Sequence, residues 1–243
     1  MLYTLIFVVD YGLLFWAEQR VPSGVAAIVL ATIPLFTAFA EIALLGSHLL
    51  TGRLIFALLS GIAGVAVLTL NSVRLGGGPI DTISAAALVL ASFSWSVASV
   101  LSRRLPLPAS KIMSSGSQML LGGVLLGLVS CGLGEFRTFH GQNISLRAWF
   151  SLFYLITAGS ILGFTAYVWL ISHQSPTKVG TYAYVNPVVA VLIGYCFAGE
   201  ALGLRTVLGT LFVLASVIII TTTRSRSYQA KVDRRDGVAR NSP

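Results

Sequence analysis

Two carboxylates stand inside long apolar runs: Asp10 in the middle of the first, and Glu41 about two-thirds along the second. A carboxylate held in hydrocarbon is costly unless it is protonated, paired or hydrated, so each is a candidate for proton coupling. Glu41, nearer the end of its run, has the plainer alternative of reaching the interface. A second set is aromatic and polar: Trp95 beside Ser92, Ser94 and Ser96, then Tyr167 with Trp169, then Tyr182, Tyr184 and Asn186. A pocket for a small organic molecule needs mostly apolar walls with a few polar groups that fix orientation. Asp10, Trp95, Tyr167, Tyr182, Tyr184 and Asn186 are the candidates to line one, although each also suits packing or interfacial anchoring. Trp16 and Trp169 lie at run ends and read as anchors of an aromatic belt. Pro34 and Pro187 each fall about a dozen residues into an apolar run. A proline there removes a backbone bond and crowds the preceding turn, which makes a hinge or a static bend.

Other chemistries find little support. His48, His140 and His173 sit in loops or at run ends without metal-ligand spacing, and no Gly-x-Ser-x-Gly elbow occurs. Asp10 and Glu41 do not resemble a pair of midplane catalytic aspartates, so an intramembrane enzyme is the weaker alternative, and neither metal nor cofactor is expected. Cys131 and Cys196 read as small apolar filler. Glu200, with Arg205 five residues on, reads as a local cap or ion pair. Gly61 with Gly64, Gly122, Gly123 and Gly127, and Gly159 with Gly163 read as packing seams where helices approach closely.

The elements that must carry these residues follow from composition. Of 243 residues, 56% are hydrophobic and 10% charged, with a mean hydropathy of +0.86. A soluble domain carries about a quarter charged residues, and this chain lacks the polar surface for one. A spanning helix needs about 20 apolar residues. Eight stretches qualify, near 2–18, 23–45, 54–71, 82–101, 112–133, 149–171, 178–198 and 205–223. The expected fold is therefore all-α, a polytopic membrane bundle of about 8 helices, since an open sheet edge has no partner in lipid. Proline, glycine or charge marks the breaks, and 134–148 is the longest loop.

The net charge of +8 does not point to nucleic acid, because six of the sixteen basic residues lie in the tail after Thr223. The tail, 224–243, reads as a disordered cytoplasmic segment that touches anionic lipid. Eight crossings leave both termini on one side. That side receives eleven basic residues against five, which favours cytoplasmic termini; without the tail the sides are equal.

The runs are also related to one another. Trp16, Pro34 and Gly46 recur as Trp169, Pro187 and Gly199 at a constant offset of 153 residues, and Leu2, Thr4, Leu49 and Leu58 match Leu155, Thr157, Leu202 and Leu211. The first members of the two copies are separated by an odd number of crossings, so the copies run through the membrane in opposite senses. Such an inverted repeat is the usual build of a transporter whose site opens to alternate sides.

The matching stretches resemble the EamA family of the drug/metabolite transporter superfamily. They are Phe15 to Gly24 (FWAEQRVPSG), Thr32 to Ala38 (TIPLFTA), Gly61 to Val65 (GIAGV), Tyr184 to Val191 (YVNPVVAV) and Ala198-Gly199-Glu200, with Ser94-Trp95 and Ser102-Arg103-Arg104 opening a second half. The resemblance implies two five-helix halves, ten helices in all, and movement of amino acids or other small metabolites across the inner membrane, commonly outward. On that pattern residues 1–71 form a first repeat of three helices without counterparts of the family's first two, and 82–223 form a complete second repeat. Ser47 stands where the family often has Glu. A truncated, non-transporting paralogue or accessory membrane protein is the other reading. The expected partners are a small-molecule substrate and the lipid bilayer, with possible proton coupling and no nucleic acid. Oligomeric state is left open.

Overall fold

A computed structural model describes residues 4–21, 23–46, 51–75, 82–105, 110–135, 144–198 and 204–222. Among these, regular structure is helical throughout, with no strand. The α-helices are α1 (Gly12–Glu18), α2 (Ser23–Leu30), α3 (Ile33–Leu45), α4 (Gly52–Leu75), α5 (Thr82–Leu101), α6 (Lys111–Gly132), α7 (Leu146–Tyr154), α8 (Thr165–His173), α9 (Pro176–Gly180), α10 (Tyr182–Ala198) and α11 (Leu204–Thr222). Two π-helical stretches, Thr4–Tyr11 and Leu155–Phe164, lead directly into α1 and α8. Over their described residues the eight expected runs are mainly helical; four helices are long and apolar enough to cross a membrane, and the sixth run extends from Leu146 to His173. Glu200, His48, His140, Gly199 and the basic tail lie outside the described residues, as does the proposed pairing of Glu200 with Arg205.

Start signals are ordinary caps. Ser110, Ser145 and Ser175 each accept a bond from a backbone N–H three residues on, opening α6, α7 and α9. Gly46 closes α3 at φ +65°, where its N–H bonds the Ile42 carbonyl. A side chain would be strained in that left-handed conformation, and glycine is not.

The internal repeat is written into the helix geometry. The two π-helical stretches end at Tyr11 and Phe164, which are equivalent under the 153-residue offset. Arg20 stacks over Trp16 at 4.2 Å, and at the equivalent positions His173 stacks on Trp169 at 4.3 Å. Both tryptophans are exposed.

The strongest sign of inversion lies between α4 and α11, equivalent helices that share the most extensive contact among the described residues. Ser216 donates to the Ala57 carbonyl at 2.6 Å, while a Cβ placed on Gly64 would lie 2.9 Å from the Gly209 carbonyl oxygen. Contacts therefore rise along one helix as they fall along the other, so the pair is antiparallel. Both contacts are centred on Ser60 and Val213, which are themselves equivalent, as pairing about a two-fold axis requires. Hydrophobic burial does little to join helices in lipid, where close packing and hydrogen bonds take over. Gly61 supplies closeness here too, since a Cβ on it would meet the Tyr184 ring at 2.5 Å.

The glycine seams are only partly as expected. Gly61 and Gly64 pack against α10 and α11, and Gly122 lies against the Phe7 ring. At Gly123, Gly127 and Gly159 a side-chain carbon would find no described neighbour within 4 Å, so these three are not seams. Cys131 and Cys196 are free and exposed on helix surfaces.

Candidate substrate cavity

Proline makes the second run discontinuous. Pro34 has no N–H and disfavours helix at the residue before it. α2 accordingly ends at Leu30, residues 31 and 32 form a turn, and α3 restarts with Pro34 in its first turn. Hydroxyls bind the loosened backbone. Thr32 donates to the Val29 carbonyl at 2.6 Å, Thr37 to Ile33 at 2.7 Å, and Ser96 of α5 also to Ile33, at 3.1 Å. The seventh run is also broken, between α9 and α10 at Thr181, but Pro187 is not the cause. It sits six residues further on, inside α10. The two equivalent prolines differ in setting: Pro34 stands in the first turn of α3 after a break, whereas Pro187 lies inside α10.

The two discontinuities meet. A Cβ on Gly180, at the end of α9, would lie 3.4 Å from Pro34 Cα and 3.6 Å from Thr37 Oγ1. One turn beyond, Glu41 accepts from the Thr177 hydroxyl at 2.7 Å and from its backbone N–H at 3.2 Å. Glu41 is 3% exposed, so this bond joins the two copies in a buried place. Nearby, Arg103 donates to the Gln174 carbonyl at 3.3 Å. The end of α3, the end of α5 and the start of α9 therefore share one side of the bundle, as alternating crossings demand.

Above this closure lies a cavity of about 320 Å³. Its walls are Asp10, Tyr11 and Leu14 from the first run, Ala27, Leu30 and Ile33 from the second, Trp95 of α5, and Tyr182, Ala183, Asn186 and Pro187 of α10. Along each run these residues lead away from the Glu41 end. The Glu41–Thr177 bond therefore lies at one end of the space, and the lining extends toward the opposite one. A larger groove of about 920 Å³ runs past Gly123, Gly127 and Trp16. Its rim residues Ile83, Val129 and Leu133 are exposed, so it belongs to the outer surface.

Of the candidates, Asp10, Trp95, Tyr182 and Asn186 line the cavity together, with Pro187. Asp10 is 4% exposed, and no described residue hydrogen-bonds or ion-pairs with it. It sits in the last turn of the first π-helix, a conformation frequent at functional positions. Trp95 stands between the repeat-equivalent rings of Tyr11 and Phe164, at 6.1 and 6.5 Å between centroids. Tyr167 is placed one layer back: it packs on Trp95 at 5.0 Å and its hydroxyl bonds Ser99.

Tyr184 is a correction. It is fully buried in the cluster with Leu58 and Val213, and its hydroxyl donates to the Leu58 carbonyl at 3.0 Å. A helix turns about 100° per residue, so a side chain two positions from Tyr182 and two from Asn186 points away from both. Glu41 is outside the cavity as well, in the closure. The serines beside Trp95 hold helices together: Ser96 spans to α3, and Ser92 Oγ is buried without a partner among the described residues. Tyr11 and Thr177 are the residues that sequence reasoning missed. Adjacency to Asp10 and a Ser-Pro-Thr helix start were the available signals.

Comparison with known proteins agrees with this architecture. The model of the EamA-like transporter family matches residues 82–222. The chain is 36% identical over 219 residues to the uncharacterized inner membrane transporter YedA of Escherichia coli (strain K12), covering 89% of this chain and 68% of that protein. It is 25% identical over 226 residues to protein PecM of Dickeya dadantii, covering 92% and 73%. A solved crystal structure superposes with a TM-score of 0.68 over 90% of this chain and 75% of the other, at 20% identity, which speaks to the fold alone. A multi-pass helical bundle built as an inverted repeat, with relatives named as inner membrane transporters, is a plasma-membrane transport protein: the chain belongs to the EamA-like transporter family.

Proposed function

We propose that the protein is a permease for small organic metabolites, amino acids and related compounds among them, which exports them by alternating access between its two inverted copies. One observation carries the reading: the cavity lies where the broken second and seventh runs cross, with Pro34 against Gly180. Discontinuous helices at a repeat interface are where such transporters place substrate. The Glu41–Thr177 closure seals one end, and the two-fold relation of α4 to α11 provides for an equivalent state open to the other. The excess of basic residues favours cytoplasmic termini, which puts the Glu41 closure on the cytoplasmic side. Asp10 is the proposed proton-coupling group. The other titratable groups facing it are the hydroxyls of Tyr11, Tyr167 and Tyr182, with no basic side chain among the described residues.

The test is a cysteine at Asn186 in a protein otherwise free of cysteine, labelled with a membrane-impermeant maleimide in right-side-out and in inside-out vesicles. Alternating access requires labelling from both faces. Labelling confined to one face under all conditions refutes it.

A further inference from the structure

We infer that the cavity recognises the ammonium head of a small organic cation, with Asp10 as its counter-ion and the rings of Tyr11, Trp95 and Tyr182 as the surrounding cage. The inference rests on the transporter reading and moves its substrate class from amino acids to amines that carry no carboxylate. Asp10 is buried, at 4% exposed, faces the cavity and takes no bond from any described residue. Among the described residues no lysine, arginine or histidine lines the space. Ionised, Asp10 would repel an anionic substrate and has only the Asn186 amide and aromatic hydroxyls among the described residues to offset its charge, whereas a cation would stabilise the ionised carboxylate.

The rings point the same way. Trp95 stands at 82° to Tyr11 and at 69° to Tyr182, with centroids 6.1 and 6.5 Å apart. Walls set nearly perpendicular make corners rather than a flat slot. An ammonium group seated among such rings is attracted by their negative faces, most strongly by tryptophan. The apolar remainder, Leu14, Ala27, Leu30 and Ile33, suits a hydrocarbon or single-ring body. At about 320 Å³ the space is at the small end for ligand cavities. The substrate class is thus a monoamine or small quaternary ammonium compound with an apolar body and no carboxylate to balance its charge.

Three probes share a phenylalkyl body and differ in the charged head group: 2-phenylethylamine, phenylalanine and 3-phenylpropionate. Binding of each to the purified full-length protein is measured by calorimetry at neutral pH, and each is followed as a labelled solute in proteoliposomes. The amine is expected to bind at least tenfold more tightly than the other two. Asp10→Asn is expected to lower amine affinity tenfold or more, and Trp95→Leu about fivefold. The wild-type ranking needs no variant, so a poorly inserting Asp10→Asn protein leaves the test intact. Preference for phenylalanine or phenylpropionate overturns the inference, as does binding of none of the three or an Asp10→Asn affinity within twofold of wild type. The maleimide experiment at position 186 uses no substrate, so the transporter reading stands or falls separately.

Discussion

Thr177→Val perturbs the closure at its centre. The substitution keeps the shape of the side chain but deletes the hydroxyl that donates to Glu41 at 2.7 Å, leaving the longer backbone bond at 3.2 Å. Between helices in membranes such a bond averages about 0.6 kcal/mol, whereas a bond to a charged group contributes about 1.5–3 kcal/mol. On the alternating-access proposal the closed state alone loses this energy, because opening would expose both groups to water. The closed-to-open ratio should therefore fall by between about threefold and about 150-fold. In the Asn186→Cys background, with Cys131 and Cys196 replaced because both are exposed, the maleimide rate from the Glu41 side should rise at least about threefold. Glu41→Gln keeps a carbonyl acceptor and should shift the rate less. A rate from that side that does not rise would refute the closure. A parallel rise from both faces would also count against it, since that indicates general loosening rather than a gate.

Gly64→Ala forces a methyl against the Gly209 and Val213 backbone at 2.9 Å. The overpacking should cost about 1–3 kcal/mol and lower the thermal unfolding temperature in detergent. Gly123→Ala meets nothing within 4 Å and should stay within about 0.5 kcal/mol of wild type; equal losses at both sites would argue against the α4–α11 seam. Tyr184→Phe removes the bond to the Leu58 carbonyl, at a cost of about 0.5–1.5 kcal/mol, and should leave solute uptake by proteoliposomes unchanged. Lost uptake at unchanged thermal stability would put Tyr184 in the permeation path after all.

Particular residues show how much was legible in advance. Asp10 stood out because an ionisable group within an apolar run has no cheap structural use, and it does line the cavity. Glu41 stood out for the same reason, yet its partner Thr177 is 136 residues away in the chain, a distance over which no local pattern operates. The proline at 34 foretold a disturbance of its helix, because the missing N–H acts wherever the residue stands. Pro187 shares the register but stands inside α10. The seventh run breaks at Thr181 instead, where the adjoining Gly180 crosses Pro34. Tyr184 and Tyr182 were indistinguishable by type, and only the facing of α10 separates the core from the cavity.

The amino-acid sequence by itself determined that this chain crosses a bilayer repeatedly as helices and that it contains one unit twice. Both follow from local physics: the length and continuity of apolar runs, the cost of unpaired backbone in lipid, and a constant offset between matched residues. Which residues meet was left to the tertiary structure. Antiparallel pairing of α4 with α11 centred on Ser60 and Val213, the joining of Glu41 to Thr177 and the enclosure of Asp10 by aromatic rings all link residues far apart in the chain. Helices in lipid are nearly apolar all round, so periodicity says little about their facing. Close contacts at glycine and a few interhelical hydroxyl bonds decide it.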